Sequence, residues 1–392
     1  VRGMHLHEGT NILKLVSDFG NTAIDYFTIQ PSADVHTGNT SSADEHHQLE
    51  ELLPAGDATH VAVRTGDWSD PNTWSFNRLP TAGAKIWVPE GVALTYNVHS
   101  STPIQSIRID GTFSFATNAS TRLLVDTIGV MPRGSYIQGT SANPIGPSIT
   151  STVIFTDAGP IDRTVDPTEL GRGLISHGKV SIFGAEKSTQ NFLRTNPTAG
   201  TQILNLISVP TGWRVGDEII VAGVHSRDIS PTPIPTADTP QAPKITTEDE
   251  IRIITAISGT SITLDRPLTY DHIPPASATD YEGKAPRIYV ANTTRSIKYQ
   301  SANTSYANNA HIHRHGHVMF MHSDQVTVHF AEFRDLGRTN KAISIDDVLV
   351  EPISNQQVKF TPGTGTNVRG RYSLHFHKTG INGQAVPIIA RG

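Results

Sequence analysis

The chain has 392 residues, of which 36% are hydrophobic and 17% charged, and its formal net charge is −5. This length is enough for two or three domains or for one long repetitive domain. The acidic balance argues against nucleic-acid binding, which needs a basic surface, and the absence of cysteine excludes disulfides and cysteine-based metal sites.

The 32 glycines and 25 prolines favour short strands separated by turns over long helices. No apolar run is long enough to span a membrane, and residues 1–20 lack the pattern of a signal peptide. A cysteine-free, β-rich chain is typical of bacterial exported proteins. We therefore expect an extracellular protein, secreted or held at the cell surface, and we expect the chain to be part of a longer one with neighbouring domains.

The first 60 residues predict a small β module followed by a linker. Two alternating runs, ILKLV and IDYFTI, flank a turn at 18–21 and indicate a hairpin. We interpret residues 1–30 as the remnant of an immunoglobulin-like β module. Residues 31–60 are polar and rich in Pro, Ser, Thr and Gly, which is typical of a linker, with one short helix predicted in ADEHHQLEELL.

Residues 61–100 combine short strands with aromatic, proline and glycine positions in a fixed order. Trp68 and Trp74 stand six residues apart, and the patterns LPTAG and VPEG follow them. This segment resembles the eight-glycine domain, a β-rich module found in the cell-migration-inducing hyaluronidase family, in fibrocystin-like receptors and in bacterial exported proteins. We interpret both tryptophans as anchors of the module's core rather than as platforms for stacking sugars.

The strands that follow have the length and spacing of the coils of a solenoid. In IQSIRIDGTFSFA, Ile107, Ile109, Phe113 and Phe115 alternate with polar residues, and TRLLVDTIGV repeats the pattern. Stacked coils would bury these side chains in one continuous core. The predicted fold is all-β: a right-handed parallel β-helix with an eight-glycine segment and an inserted small antiparallel β subdomain, with a β-sandwich as the second choice.

The rest of the chain divides at a change in strand length. We assign 61–199 to the eight-glycine domain and first coils, and 200–284 to the inserted subdomain, whose longer alternating strands enclose a Pro-rich loop at 230–244. Residues 285–392 form the histidine-bearing coils.

Eight of the 18 histidines lie between His311 and His377. Side chains alternate along a strand, so His375 and His377 would share one face and Leu374 and Phe376 the other. By the same rule Val318 and Phe320 oppose Met319 and Met321. Aligning MFMH (319–322) with LHFH (374–377) places His322 opposite His377. We interpret His311, His313 and His315 as a solvated edge or loop.

The segments RGRYSLHFHKTG, FRDLGRT and GHVMFMH resemble the coils of the eight-glycine β-helix proteins, and the resemblance covers roughly 61–380. The hyaluronidases among these proteins imply that the chain binds an acidic, hyaluronan-like polysaccharide. A polar loop at 339–370 would lie over one face of the coils and help to shape a groove beside the histidines. It carries Asp346 and Asp347 near Arg338, Arg371 and Lys378.

Three mechanisms of cleavage fit these residue types and stay open. In the first, His322, His375 and His377 hold a divalent metal, zinc or calcium, with Asp335 beside it. In the second, a histidine acts as the base of a lyase while Arg338 or Arg371 neutralises a uronate. In the third, Asp335 and a carboxylate of the loop hydrolyse a glycosidic bond.

The predicted catalytic residues are His375, His377, Asp335 and Arg371, and the predicted substrate-binding residues are Arg338, Lys378 and His317. The expected partner is a polysaccharide, and self-association is a further expectation. Two alternatives do not involve catalysis. The chain could be a structural or adhesive protein of a surface, matrix or fibre, or a metal-dependent binding module.

Overall fold

The computed structural model describes residues 47–227, 246–279, 284, 286–302, 314–323, 325–341, 343–354, 357–379 and 388–391. The predicted immunoglobulin-like remnant, the loop at 230–244, His311 and His313 lie outside these residues. Residues 47–52 are helical, in agreement with the predicted short helix. Three single-turn 3₁₀ helices follow at Ala55–Asp57, Pro71–Thr73 and Ser75–Asn77.

Most strands form three parallel ladders. The first ladder stacks His60–Val61, Lys85–Val88, the later halves of His99–Ile109 and Thr121–Val130, Gly173–Ser176, His317–Met321 and His375–His377. The second stacks Gly66–Asp67, Ala93–Tyr96, Thr112–Phe115, Ser135–Gln138, Lys179–Phe183, Val326–His329 and Ile389–Arg391. The third stacks the earlier halves of His99–Ile109 and Thr121–Val130 with Ser151–Phe155, Ile297–Ser301 and Ala331–Arg334.

The chain passes through the third, first and second ladders in that order and then repeats the circuit. Residues 121–125, 127–130 and 135–138 make one such circuit, and 151–155, 173–176 and 179–183 make the next. Each circuit is one coil of the structure. The prediction of an all-β protein with parallel sheets is confirmed, and the handedness of the coils stays a prediction.

Alternation along the strands builds the core between the ladders. Phe113, Val318 and Phe320 are fully buried in it. Met319 and Met321 point the other way and pack outside the first ladder, in an apolar cluster that includes Leu49. The predicted opposition of these side chains is confirmed.

The two tryptophans of the eight-glycine segment are buried, as predicted. Their rings meet edge to face with centroids 4.9 Å apart. The indole Nε1 of Trp74 donates to the carbonyl oxygen of Trp68 at 2.8 Å, so the polar atom of the more buried ring has its partner.

An antiparallel sheet lies between the coil strands Lys179–Phe183 and Ile297–Ser301. Its six strands, in spatial order, are Gln190–Phe192, Tyr289–Asn292, Glu218–Val221, Glu250–Ser258, Ser261–Leu264 and Ile203–Asn205. A bridge between Leu193 and Leu206 joins the two edges, so the sheet closes around its own apolar core. Two further antiparallel pairs lie within the described residues: Ser226–Arg227 with Thr246–Thr247, and Val350–Ser354 with Gln357–Phe360.

Glu250 is a buried carboxylate in this closed sheet. Burial alone would raise the pKa of Glu250, but hydrogen bonds from Tyr270, His272 and Thr269 hold it at about 2. Because the pKa is depressed on folding, the stabilisation is present above the unfolded value of about 4.3 and is lost as the pH falls towards about 2.

We expect Glu250→Gln to lower the free energy of unfolding at pH 7 by about 2–3 kcal/mol, because several donors lose a charged acceptor. The variant should also lose stability less steeply than the native protein between about pH 4 and pH 2. Urea unfolding followed by circular dichroism at several pH values measures both effects. The control is Glu90→Gln, whose carboxylate is exposed and paired with Arg133. An equal loss of unfolding free energy in Glu250→Gln and Glu90→Gln would contradict the stabilising role assigned to the hydrogen bonds of Glu250.

Candidate functional site

Four histidine rings form a continuous line outside the first ladder. The rings of His177 and His322 stack with centroids 6.0 Å apart, and His322 meets His377 edge to face at 5.9 Å. His375 adjoins His377 at 5.3 Å. We call these four residues the histidine row. His177, His322 and His377 belong to three successive coils, so the row runs along the stack of coils.

The register predicted for this region was wrong by one residue. The structure pairs Met321, and not His322, with His377. His322 leaves the strand with a positive φ of 51°, and its backbone N–H donates to the carbonyl oxygen of His377 at 3.1 Å. The turn nevertheless brings the ring of His322 to that of His377, so the structure does bring the three predicted histidines together.

Sequence reasoning missed His177, which lies far outside the histidine-dense run. His177 directly follows the first-ladder strand Gly173–Ser176, just as His322 directly follows His317–Met321. The available signal was therefore a histidine placed immediately after a coil strand and before a turn. Composition does not reveal this signal, because it depends on knowing which strands stack.

A groove of about 540 Å³ adjoins the row where the chain passes from the first ladder to the second. His177 and His322 line it together with Arg133 and Lys179, which are both exposed. Two imidazoles, an ammonium and a guanidinium along one groove favour anionic ligands.

His375 is half-buried, and its Nδ1 lies 2.9 Å from the carbonyl oxygen of Gly370. Since a carbonyl only accepts, Nδ1–H donates this bond, which leaves the lone pair of the neutral ring on Nε2. Burial lowers the pKa of His375, the bond to Gly370 opposes this effect, and His377 and Arg371 add to the lowering. A neutral ring with a defined tautomer suits either a general base or a hydrogen-bond acceptor.

His317 lies inside the wall of the coil rather than in the groove. It is fully buried, and its Nδ1 is 3.2 Å from the carbonyl oxygen of Arg172. Burial lowers the pKa of His317 well below the ordinary range, with Arg338 and Arg371 adding to the effect. Its neighbour His315 is also buried, which corrects the prediction that it belongs to a solvated edge.

Arg338 is buried, and its guanidinium donates to four carbonyl oxygens, those of Glu169, Gly171, Arg172 and His315. Burial lowers the pKa of Arg338 to about 9, and the positive charge of Arg371 adds to this lowering. The guanidinium thus ties the segment 169–172 to the coil that begins near His315. This placement favours a structural role over the predicted contact with a substrate.

Arg371 has a similar placement. Its Nη2 donates to the carbonyl oxygen of Thr168 at 2.6 Å and its Nε to that of Glu169 at 2.8 Å. The side chain holds the segment 168–172 against the last described coil. The predicted catalytic role of Arg371 would require a substrate to reach a guanidinium that is largely buried.

The carboxylates of the third predicted mechanism occupy different places. Asp335 lies in the turn after the third-ladder strand Ala331–Arg334 and has a positive φ of 54°. Asp346 accepts hydrogen bonds from Thr366, and Asp347 pairs with Arg369. The last two carboxylates therefore hold the loop together.

Lys378 follows His377 directly, with a positive φ of 47° and a half-buried side chain. Its predicted contact with a substrate stays a prediction. No three His, Asp or Glu side chains within the described segments are grouped so that they could hold one metal ion. The metal set of His322, His375 and His377 stays a prediction.

Residues 73–194 match the family model of the G8 domain. The matched segment runs from the end of the 3₁₀ helix Pro71–Thr73, through the coil that carries His177, to just past the strand Gln190–Phe192. The eight-glycine resemblance is therefore confirmed for this part of the chain. The relation to hyaluronidases stays a prediction.

Protein rliB of Dictyostelium discoideum is 23% identical over 322 residues, which cover 80% of this chain and 23% of rliB. The chain therefore spans less than a quarter of the length of that relative. Across the described segments, none of the helices has the length and apolar character needed to cross a membrane.

Two solved tailspikes also resemble the chain. They are the tailspike gp61 of Pseudomonas phage phi297, at 13% identity, and the Gp54 tailspike of Acinetobacter baumannii bacteriophage AP22 in complex with A. baumannii capsular saccharide, at 9%. Each match covers 63% of this chain, with 28% and 30% of the respective tailspike. Both TM-scores are 0.20, which supports no argument about fold or function.

Proposed function

We propose that this protein binds an acidic, hyaluronan-like polysaccharide outside the cell, along the histidine row and its adjoining groove. The observation that carries the proposal is the placement of His177, His322 and His377 in successive coils, with Lys179 and Arg133 in the groove beside them. Carboxylates accept strong hydrogen bonds from protonated imidazole, ammonium and guanidinium groups.

The spacing of the coils supports a linear polymer as the ligand. Neighbouring strands of a sheet lie about 4.8 Å apart, which is comparable to the length of one pyranose unit in an extended chain. The half-buried rings of His322 and His377 would therefore meet such a chain one coil apart, whereas the buried His177 would lie beneath it. Several modest contacts along one chain add up to useful affinity.

We propose as the matching architecture a right-handed parallel β-helix that begins in the G8 segment and carries as an insertion the closed antiparallel sheet, whose strands run from Gln190 to Asn292. In a solenoid each coil contacts only its neighbours, which leaves long grooves between the turns available for extended ligands. The predicted domain limits 61–199 and 285–392 stay predictions, and the strands Gln190–Phe192 and Tyr289–Asn292 of the closed sheet lie just outside the predicted insertion.

Binding can be measured by isothermal calorimetry with defined hyaluronan oligosaccharides, using the native protein, His322→Ala and the control His99→Ala. His99 is exposed at the start of a third-ladder strand. We expect His322→Ala to weaken binding about tenfold, equivalent to about 1.4 kcal/mol, with no change in the control. Added salt should weaken native binding because exposed charges are screened.

Equal affinities for the native protein and His322→Ala would contradict the proposal, as would no binding of hyaluronan, chondroitin, alginate or pectate. In the latter case the structural or adhesive alternative would be favoured. Cleavage is a separate question, answered by the length of the polymer after incubation with and without EDTA. Shortening that EDTA abolishes would support the metal-assisted mechanism, and new absorbance from an unsaturated sugar would support the lyase.

A further inference from the structure

A second groove runs along the opposite edge of the second ladder, where the chain turns towards the third. Its volume is about 510 Å³. Three of its lining residues stack in register in successive coils: Thr95 pairs with Ser114, and Ser114 pairs with Ile137. Asn97 and Asn143 stand on the turns beside them. We call this feature the polar trough.

The polar groups of the trough are held in place by one another. The hydroxyls of Thr95 and Ser114 lie 3.3 Å apart. The amide of Asn143 donates to the hydroxyl of Thr117 at 2.9 Å. Each carboxamide and hydroxyl has more hydrogen-bonding positions than these contacts use, so ordered donors and acceptors remain for a ligand.

The charge of the trough decides the class of ligand. Asp67 is the ionisable residue among the lining residues that the structure describes, and it is exposed. A uronate or a sulfate would meet a carboxylate here and find no cation to pair with. Ile137 faces outward from its strand and is half-buried, which offers an apolar surface to the C–H face of a sugar ring.

We propose that the polar trough binds an uncharged, hydroxyl-rich oligosaccharide, one sugar per coil, independently of the histidine row. The two edges of one ladder would then select glycans by charge: imidazole and ammonium groups on one side, and amides and hydroxyls on the other. A neutral ligand can exchange hydrogen bonds with these groups without bringing an unpaired charge of its own into the trough.

The test uses protein from a host without N-glycosylation, because Asn118 at the trough begins an N-A-S sequon. Calorimetry and NMR titration are carried out with cellohexaose, chitohexaose and mannohexaose. We expect at least one of them to bind saturably, with an affinity that added salt does not change. Ser114→Tyr should weaken this binding at least tenfold by filling the trough. Asn143→Ala, on an exposed turn, should weaken it several-fold without affecting the fold.

The matched control is Thr112→Tyr, on the same strand as Ser114 and also facing outward, but outside the trough. The proposal is overturned if none of the three hexasaccharides binds, or if Ser114→Tyr and Thr112→Tyr bind equally well. Hyaluronan binding should be the same in the native protein and in Ser114→Tyr, so failure at the trough and failure at the histidine row are distinguishable.

Discussion

Arg338→Met is expected to lower the free energy of unfolding by about 3–5 kcal/mol, the usual cost of removing one partner from a buried charged network. The guanidinium donates to the carbonyl oxygens of Glu169, Gly171, Arg172 and His315, and methionine supplies similar volume but no donor. Buried carbonyls left without a donor each cost about 1–3 kcal/mol. Urea unfolding measures the loss, and amide hydrogen exchange should show faster exchange in 168–172.

Arg369→Met is the matched control. Its side chain is 72% exposed and pairs with Asp347 at the surface, an arrangement worth about 0–1 kcal/mol. Similar losses in the two variants would contradict the structural role of Arg338. Unchanged stability with lost hyaluronan binding in Arg338→Met would restore its predicted role as a substrate ligand.

Phe320→Ala is expected to cost about 3–5 kcal/mol, the range for truncating a buried phenylalanine. Phe320 is fully buried in the coil core, and its ring centroid lies 5.5 Å from that of Phe376 in the next coil. In a solenoid each coil stabilises its neighbour. The cavity should therefore also loosen the strand His375–His377 and speed its amide exchange.

Phe76→Ala provides the comparison, because the Phe76 side chain is 84% exposed. Its loss should change the free energy of unfolding by no more than about 0.5 kcal/mol. Thermal unfolding of both variants, followed by circular dichroism, measures the difference. If Phe320→Ala were as stable as Phe76→Ala, the packing assigned to the coil core would be wrong.

Alternation along single strands could be predicted from the sequence with no knowledge of the fold. Met319 and Phe320 were assigned to opposite faces, and the structure places one outside the first ladder and the other in the core. The burial of Trp74 was likewise predictable from the eight-glycine pattern. These features follow from the two-residue period of a strand and from local turn chemistry.

Contacts between coils could not be predicted in the same way. The register of Met321 with His377 depends on how two strands stack, and a shift of one residue changes every pair. His177 joins the histidine row across more than a hundred residues of intervening chain, which hold the closed antiparallel sheet.

The roles of the charged residues were decided by burial. The patterns FRDLGRT and RGRY predicted arginines beside a groove, because a sequence shows the charge of a side chain but not its surroundings. The structure turns Arg338 and Arg371 towards the carbonyl oxygens of 168–172. A buried guanidinium must be paired with hydrogen-bond acceptors, and the segment 168–172, which is distant in sequence, supplies them.

The sequence by itself therefore determined the all-β class, the inward and outward faces of the strands, the eight-glycine segment and the concentration of histidine near its end. The tertiary structure decided which histidines meet, that Arg338 and Arg371 lie in the wall, and that one ladder has a cationic groove on one edge and, on the other, a groove lined by hydroxyls, amides and Asp67. The physical reason is the separation along the chain over which each effect acts. Alternation and turn preferences act over a few residues, whereas burial and pairing join residues that only the stacking of coils brings together.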